Sequence, residues 1–109
     1  MQRELREQVF AKYDNHCAYC GRIIKYNEMQ VDHIKPQHLG GSDKIENLNP
    51  ACRMCNHYKG GLTLKHFRTA IKTLHERLQK PYINRVGINY SIIEIKPFDG
   101  KFYYERSNK

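Results

Sequence analysis

An α+β fold in a single small domain, its core stapled from within, is what this sequence predicts. Three observations carry the prediction. Cysteines stand in two C-x2-C pairs, Cys17/Cys20 and Cys52/Cys55. Apolar residues recur at helical spacing near the N-terminus and again over residues 63–80. Short apolar runs punctuated by Pro, Gly, Asn and Asp make up most of the rest, as strands and turns do. The 109 residues suffice for one core. With hydrophobic residues at 39% and no Trp, that core is modest, and modest cores need a metal or disulfide staple.

The elements follow in chain order. Leu5, Val9 and Tyr13 lie at helical spacing among charged residues, which predicts a helix over residues 3–13 ended by "DNH". "RIIKYNEMQVDHI" reads as two short strands around a turn at Tyr26-Asn27-Glu28. "KPQHLGGSDKIEN" is loop, broken by Pro36, Gly40, Gly41 and Asp43. "NLNPACRMCNHYKGG" reads as a short strand and then a helix, with Pro50 in its first turn and Gly60-Gly61 as its stop. "TLKHFRTAIKTLHERLQK" predicts one long helix from Thr63 to Lys80, with Thr63 as N-cap, Pro81 as stop and a stripe of Leu64, Phe67, Ala70, Ile71, Leu74 and Leu78. "YSIIEIKPFDGKFYYER" predicts a β-hairpin turning at Asp99-Gly100. Its aromatic residues are expected to cover the small core rather than stack on bases.

Two C-x2-C knuckles are the spacing of a tetrahedral four-thiolate zinc site. Disulfides suit exported chains, and "MQRELREQVF" has no apolar signal segment. A redox C-x2-C needs a βαβ context that this sequence lacks. Four thiolates leave no open position, so Cys17, Cys20, Cys52 and Cys55 are expected to hold a structural Zn2+. The 31 residues between the pairs exceed a compact zinc ribbon, so a substantial segment is inserted there.

Nineteen Lys and Arg against eleven Asp and Glu give a formal charge of +8 and a pI near 9.4. That balance favours a polyanionic partner. Lys65, Arg68 and Lys72 flank the apolar stripe and are candidate phosphate contacts; Lys35, Arg53 and Lys59 are equally open to phosphate contact or to solvated and helix-capping roles. No apolar run approaches the ~20 residues that span a bilayer, so no membrane association is expected.

Between and around the knuckles runs "VDHIKPQHLGGSDKIENLNPACRMCNHYKGG". This segment, from about Cys17 to Gly61, resembles the HNH endonucleases, members of the ββα-metal (His-Me finger) nucleases. The likeness lies in the D-H pair, the "GGSDKIENL" loop and the C-x2-C-N ending with its following Lys. It implies a ββα-metal core over about residues 17–61; the N-terminal helix and the helical and hairpin extension, about 62–109, lie outside the motif, and residues 1–109 are expected to form a single nuclease domain. The family's last motif position is often His; here it is Asn56, an HNN-type variant.

The chemistry agrees with the resemblance. Phosphodiester hydrolysis needs an activated water, charge stabilisation on the phosphoryl oxygens and help for the leaving oxygen. His33 is the candidate general base. Asp32 and Asn56 offer the hard oxygens that suit Mg2+ or Mn2+. Asp32 and His33 point to opposite faces of a strand, so carboxylate and imidazole can approach a phosphate from different sides. The resemblance gives Asn47 a supporting role, tying down the loop. His57 lies about 100° around the helix from Asn56 and is not preferred; His16, His38, His66 and His75 need no role.

The expectation is a metal-dependent endonuclease that hydrolyses DNA, RNA staying open; the resemblance implies 5′-phosphate and 3′-hydroxyl products. The rival is a non-catalytic, zinc-stapled nucleic-acid-binding module, which would need the cysteines but not Asp32, His33 and Asn56 together. A lone site cuts one strand, so double-strand cleavage would need a dimer or two binding events; a monomer or weak homodimer is expected, and the resemblance implies a cytoplasmic protein of a bacterium or its phage.

Overall fold

The strand predicted before the loop forms, but its partner is not the segment that precedes it. In the computed structural model, which describes residues 1–107, β1 (Gln30–His33) pairs antiparallel with β2 (Leu48–Ala51). The register sets Asp32 opposite Asn49 and His33 opposite Leu48. The first strand expected in "RIIKYNEMQVDHI" is reduced to a single bridge, His16 to Ile23. Its backbone is committed elsewhere. Cys17 N–H donates to the Arg22 carbonyl at 2.7 Å and Ile24 N–H to Asn15 at 2.8 Å, so the cysteine knuckle takes the hydrogen bonds a hairpin would need. Tyr26–Glu28 is one 3₁₀ turn.

Helix α1 (Arg3–Ala11) buries Val9. It stops where Asp14 and Asn15 take positive φ, 51° and 67°, a conformation these two residue types tolerate. Lys12, just past the helix, donates to the carbonyls of Ile45 at 3.0 Å and Leu48 at 2.6 Å. Burial lowers the Lys12 pKa from the ordinary lysine value. Arg6 donates to Tyr26 and Met29 carbonyls. These two cations tie α1 to both flanks of the sheet.

Helix α2 (Arg53–Lys59) follows β2 directly and ends at Gly60, the stop that the Gly-Gly pair predicts. Its N-cap is Cys52, whose sulfur accepts the Cys55 N–H at 3.4 Å. Pro50, expected in the first turn of the helix, instead lies in β2 opposite Val31, where its carbonyl accepts Ala18 N–H at 2.8 Å. Proline fits a strand of a two-stranded sheet because an edge position needs no donor. β1, β2 and α2 together form the small ββα core. Helix α6 (Tyr103–Ser107) returns to the same region. Phe102 is buried there, edge-on to Tyr19, and Tyr103 stacks on His16. The tail's aromatic residues thus cover the core.

Residues 65–101 form a second compact unit. The long helix expected from Thr63 to Lys80 is instead two pieces, α3 (Leu64–Lys72) and α4 (Leu74–Arg77). At the break, the Ala70 carbonyl accepts the Thr73 hydroxyl at 2.9 Å and the Arg77 guanidinium at 3.0 Å. Such side-chain capture of a helical carbonyl interrupts the ladder. Pro81 does not simply stop the helix; it is the N-cap residue of α5 (Tyr82–Asn89). The expected C-terminal hairpin does not form. Ile92 and Ile93 N–H both turn to the Gly87 carbonyl, at 2.9 and 3.3 Å, and the chain beyond, to residue 102, carries no regular secondary structure. The turn is there, with Asp99 Oδ1 accepting Lys101 N–H at 3.0 Å and Gly100 at φ 92°. An isolated hairpin has marginal stability, and these strands found other partners.

Candidate active site

Both knuckles place their thiols at one point. The sulfurs of Cys17, Cys20, Cys52 and Cys55 all lie within 4.8 Å of one another, and none is in a disulfide. A tetrahedral zinc with bonds of ~2.3 Å sets its sulfurs ~3.8 Å apart, and Cys20 and Cys52 stand at 3.8 Å. Electrostatics point the same way. Hydrogen bonds from Cys20 and Cys55 pull the Cys17 thiol far down, while the bond to Cys17 pushes Cys20 up to about 11 and Cys55 higher still. One thiolate forbids its neighbours until a cation shares the charge. The set fits a structural zinc; the ion would supply four thiolate bonds and a fixed angle between the knuckles.

Beside this staple, the sheet and α2 enclose a buried polar knot. Asp32 is 4% exposed. Its Oδ2 accepts the Tyr19 hydroxyl and its Oδ1 faces Lys59 Nζ at 3.1 Å. Asn49 donates to the Tyr19 oxygen at 3.4 Å. Burial pushes the Asp32 carboxyl above the ordinary range, opposed by the Tyr19 hydroxyl and the Lys59 ammonium. Lys59 also donates to the His33 carbonyl at 3.0 Å and is 1% exposed. It is a buried structural cation, not the surface phosphate contact the sequence left open. A buried pair of this kind contributes little net stability, but removing one partner costs about 3–5 kcal/mol.

The loop after β1 is built around Asn47. Its amide nitrogen donates to the Lys35 and Ser42 carbonyls at 3.1 and 2.8 Å, and its oxygen accepts Lys35 N–H at 2.8 Å. One side chain thereby joins both limbs of the loop. Gly41 makes the closure sterically possible, because a Cβ there would lie 1.7 Å from the Lys35 carbonyl oxygen. His33 leaves the strand toward this loop, where Nε2 meets Asp43 Oδ1 at 2.7 Å.

A pocket of about 280 Å³ opens between the loop and α2, lined by Asp32, His33, Asn56, Gln37 and His38 among others. Asn56 stands half-buried on α2, with no described residue hydrogen-bonded to its side-chain amide. Asp32 and Asn56 bring two hard oxygens to one pocket wall. Although both Asp32 oxygens have partners, each keeps a second lone pair, so the donor set fits a hydrated divalent ion.

The structure thus gathers Asp32, His33 and Asn56 at one pocket, with Asn47 behind it. Lys35 and Arg53 are exposed in the same region, and Lys65 and Lys72 are exposed on α3. Arg68 is half-buried and donates to the Gly100 carbonyl at 2.7 Å. Sequence reasoning gave no role to Tyr19 and took Asp43 only as loop punctuation. It also passed over His38, which lines the pocket.

With this geometry in hand, the chain can be compared with known proteins. The HNH endonuclease family model matches residues 17–72. The chain belongs to the HNH endonuclease family. It is similar to the CRISPR-associated endonuclease Cas9 of Corynebacterium diphtheriae, 39% identical over 56 residues, covering 50% of this chain and 5% of that protein. Cas9 of Actinomyces naeslundii is 46% identical over 44 residues, covering 39% of this chain and 4% of its own length. The crystal structure of the Type II-C Cas9 enzyme from the same organism superposes with a TM-score of 0.55 at 26% identity, covering 72% of this chain and 10% of that one. The chain therefore spans a small fraction of these relatives. No helix among the described residues is long and apolar enough to cross a membrane.

Proposed function

We propose that this domain hydrolyses phosphodiester bonds of DNA, with His33 as general base and a divalent ion held by Asp32 and Asn56. The observation that carries the reading is the pocket itself: an imidazole, a carboxylate and an amide without a hydrogen-bond partner among the described residues line one opening beside a loop clamped by Asn47. Membership of the endonuclease family and a charge of +8 support a polyanionic substrate.

The roles follow from position. His33 takes the proton from the attacking water. Asn47 keeps the loop closed, so that the imidazole does not wander from the strand end. Tyr19 and Lys59 fix the Asp32 carboxylate, which together with the Asn56 oxygen would hold Mg2+ or Mn2+. When bound, that ion supplies charge stabilisation at the phosphoryl and leaving oxygens. Lys35 and Arg53, exposed near the site, are the proposed backbone-phosphate contacts, joined on α3 by Lys65 and Lys72.

Supercoiled plasmid is the test. Zinc-loaded protein should nick it with Mg2+ or Mn2+ and not with EDTA, and His33→Ala should leave it intact. Plasmid retarded in a gel but uncut with every ion would reassign the domain as a nucleic-acid-binding module.

A further inference from the structure

We infer that Asp43 is the positioning residue of His33: its carboxylate holds the Nε2–H of the imidazole and leaves Nδ1 as the nitrogen that accepts the proton of water. The inference deepens the proposed reaction and rests on the reading of His33 as its base.

A carboxylate ion only accepts hydrogen bonds. Asp43 Oδ1 lies 2.7 Å from His33 Nε2, so in the neutral ring the hydrogen belongs on Nε2 and the lone pair on Nδ1. The contact is built rather than incidental. Gln37 donates to the same Asp43 oxygen at 3.3 Å. Asp43 directly follows Ser42, whose carbonyl is clamped by Asn47 at 2.8 Å. At the other end, the His33 backbone is paired with Leu48 in the sheet, and its carbonyl takes the Lys59 ammonium at 3.0 Å. The ring is thus held by the strand on one side and the loop on the other. Asn47 reaches the imidazole only by holding the loop closed, whereas Asp43 touches it.

The pair is also cleanly testable. Asp43 is 67% exposed, against 19% for His33, and a single hydrogen bond to an exposed carboxylate adds little to stability. Removing the carboxylate should leave the fold standing while changing the ring.

The test compares zinc-loaded wild type with Asp43→Ala and Asp43→Asn. Ring-nitrogen NMR of His33 is recorded at a pH where imidazole is neutral, and DNA cleavage is measured in parallel. The wild type should show the Nε2–H form. Asp43→Ala should shift the tautomer balance toward Nδ1–H and lower kcat roughly tenfold to a hundredfold, a part of the ~10²–10⁴ a positioned base supplies, with KM nearly unchanged. Asp43→Asn keeps an acceptor oxygen and should recover both the tautomer and most of kcat. An unchanged tautomer in Asp43→Ala would overturn the inference. So would faster cleavage, which would make Asp43 a brake that substrate displaces. If wild type cuts nothing while the tautomer responds as expected, positioning stands and the nuclease reading falls.

Discussion

The cysteine-stapled region and residues 65–101 solve the problem of a small core differently. In the first, two strands and a two-turn helix carry the burial of Leu48, Asn49, Ala51 and Cys55, and the backbone is pinned by Lys12, Asn47 and Lys59. In the second, Phe67 is the only side chain in the buried core among the described residues, while Tyr82, Ile83, Tyr90 and Ile92 lie largely exposed. The region with the shorter elements is the more heavily constrained. A four-cysteine cluster that fits a metal, and buried polar groups, stand in for apolar area there. They also hold the Asp32 carboxylate and the His33 ring on fixed partners, as reaction geometry demands.

Zinc removal should break the comparison most sharply. Structural zinc supplies about 10–16 kcal/mol of folding free energy in small finger peptides. A chelator, or Cys55→Ser, is expected to abolish hydrogen-exchange protection of the backbone amides of β1, β2 and α2. Protection that survives chelation would show that the staple is dispensable. Lys59→Met comes next. It strands the Asp32 carboxylate in the core and should cost about 3–5 kcal/mol in urea denaturation, whereas Lys65→Met on the exposed face of α3 should stay within about 0.5 kcal/mol. Equal effects would deny the buried pair its place.

A third pair contrasts two apolar residues of the tail that look alike in sequence. Phe102→Ala should destabilise by about 3–5 kcal/mol, because Phe102 is buried against Tyr19. Ile92→Ala, exposed, should change the midpoint hardly at all. Among the substitutions expected to destabilise, Asn47→Ala should cost least, about 1–3 kcal/mol for three half-exposed hydrogen bonds. Its loss of cleavage should be larger than its loss of stability, since the loop that carries Asp43 is released.

The two regions also differed in how well their sequence could be read. In the first, local signals were sufficient. The cysteine spacing, the Gly-Gly stop of α2, the Asp-Asn end of α1 and the amide of Asn47 each act over a few residues. What escaped was long-range: β1 chose β2 across the loop, and Pro50, read as a helix opener, sits in that sheet. Lys59 looked like a solvated helix-end cation, because nothing in its neighbours announces that β1 delivers Asp32 to it. Tyr19 and Asp43 were hidden for the same reason. Their partners lie 13 and 10 residues away and become visible only once the chain closes.

In residues 65–101 the patterns were clear and misleading. The apolar stripe from Leu64 to Leu78 is continuous, yet Thr73 and Arg77 break it by capturing the Ala70 carbonyl. Alternation in "YSIIEIKPFDGKFYYER" suggested a hairpin, but Ile92 and Ile93 cap α5 and Phe102 packs in the other region. A turn signal at Asp99-Gly100 was correct about the turn and silent about its flanks. Where side-chain capture and distant packing outweigh periodicity, the pattern alone could not decide.

The central claim is that the pocket of Asp32, His33 and Asn56 performs the cleavage. Its most direct test is single-turnover reaction of an end-labelled DNA duplex with zinc-loaded wild type and with His33→Ala, whose folds are first shown equal by thermal melting. Strand cleavage is expected from wild type alone, dependent on added Mg2+ or Mn2+, leaving a 5′-phosphate and a 3′-hydroxyl. Cleavage by His33→Ala at the wild-type rate would contradict the claim.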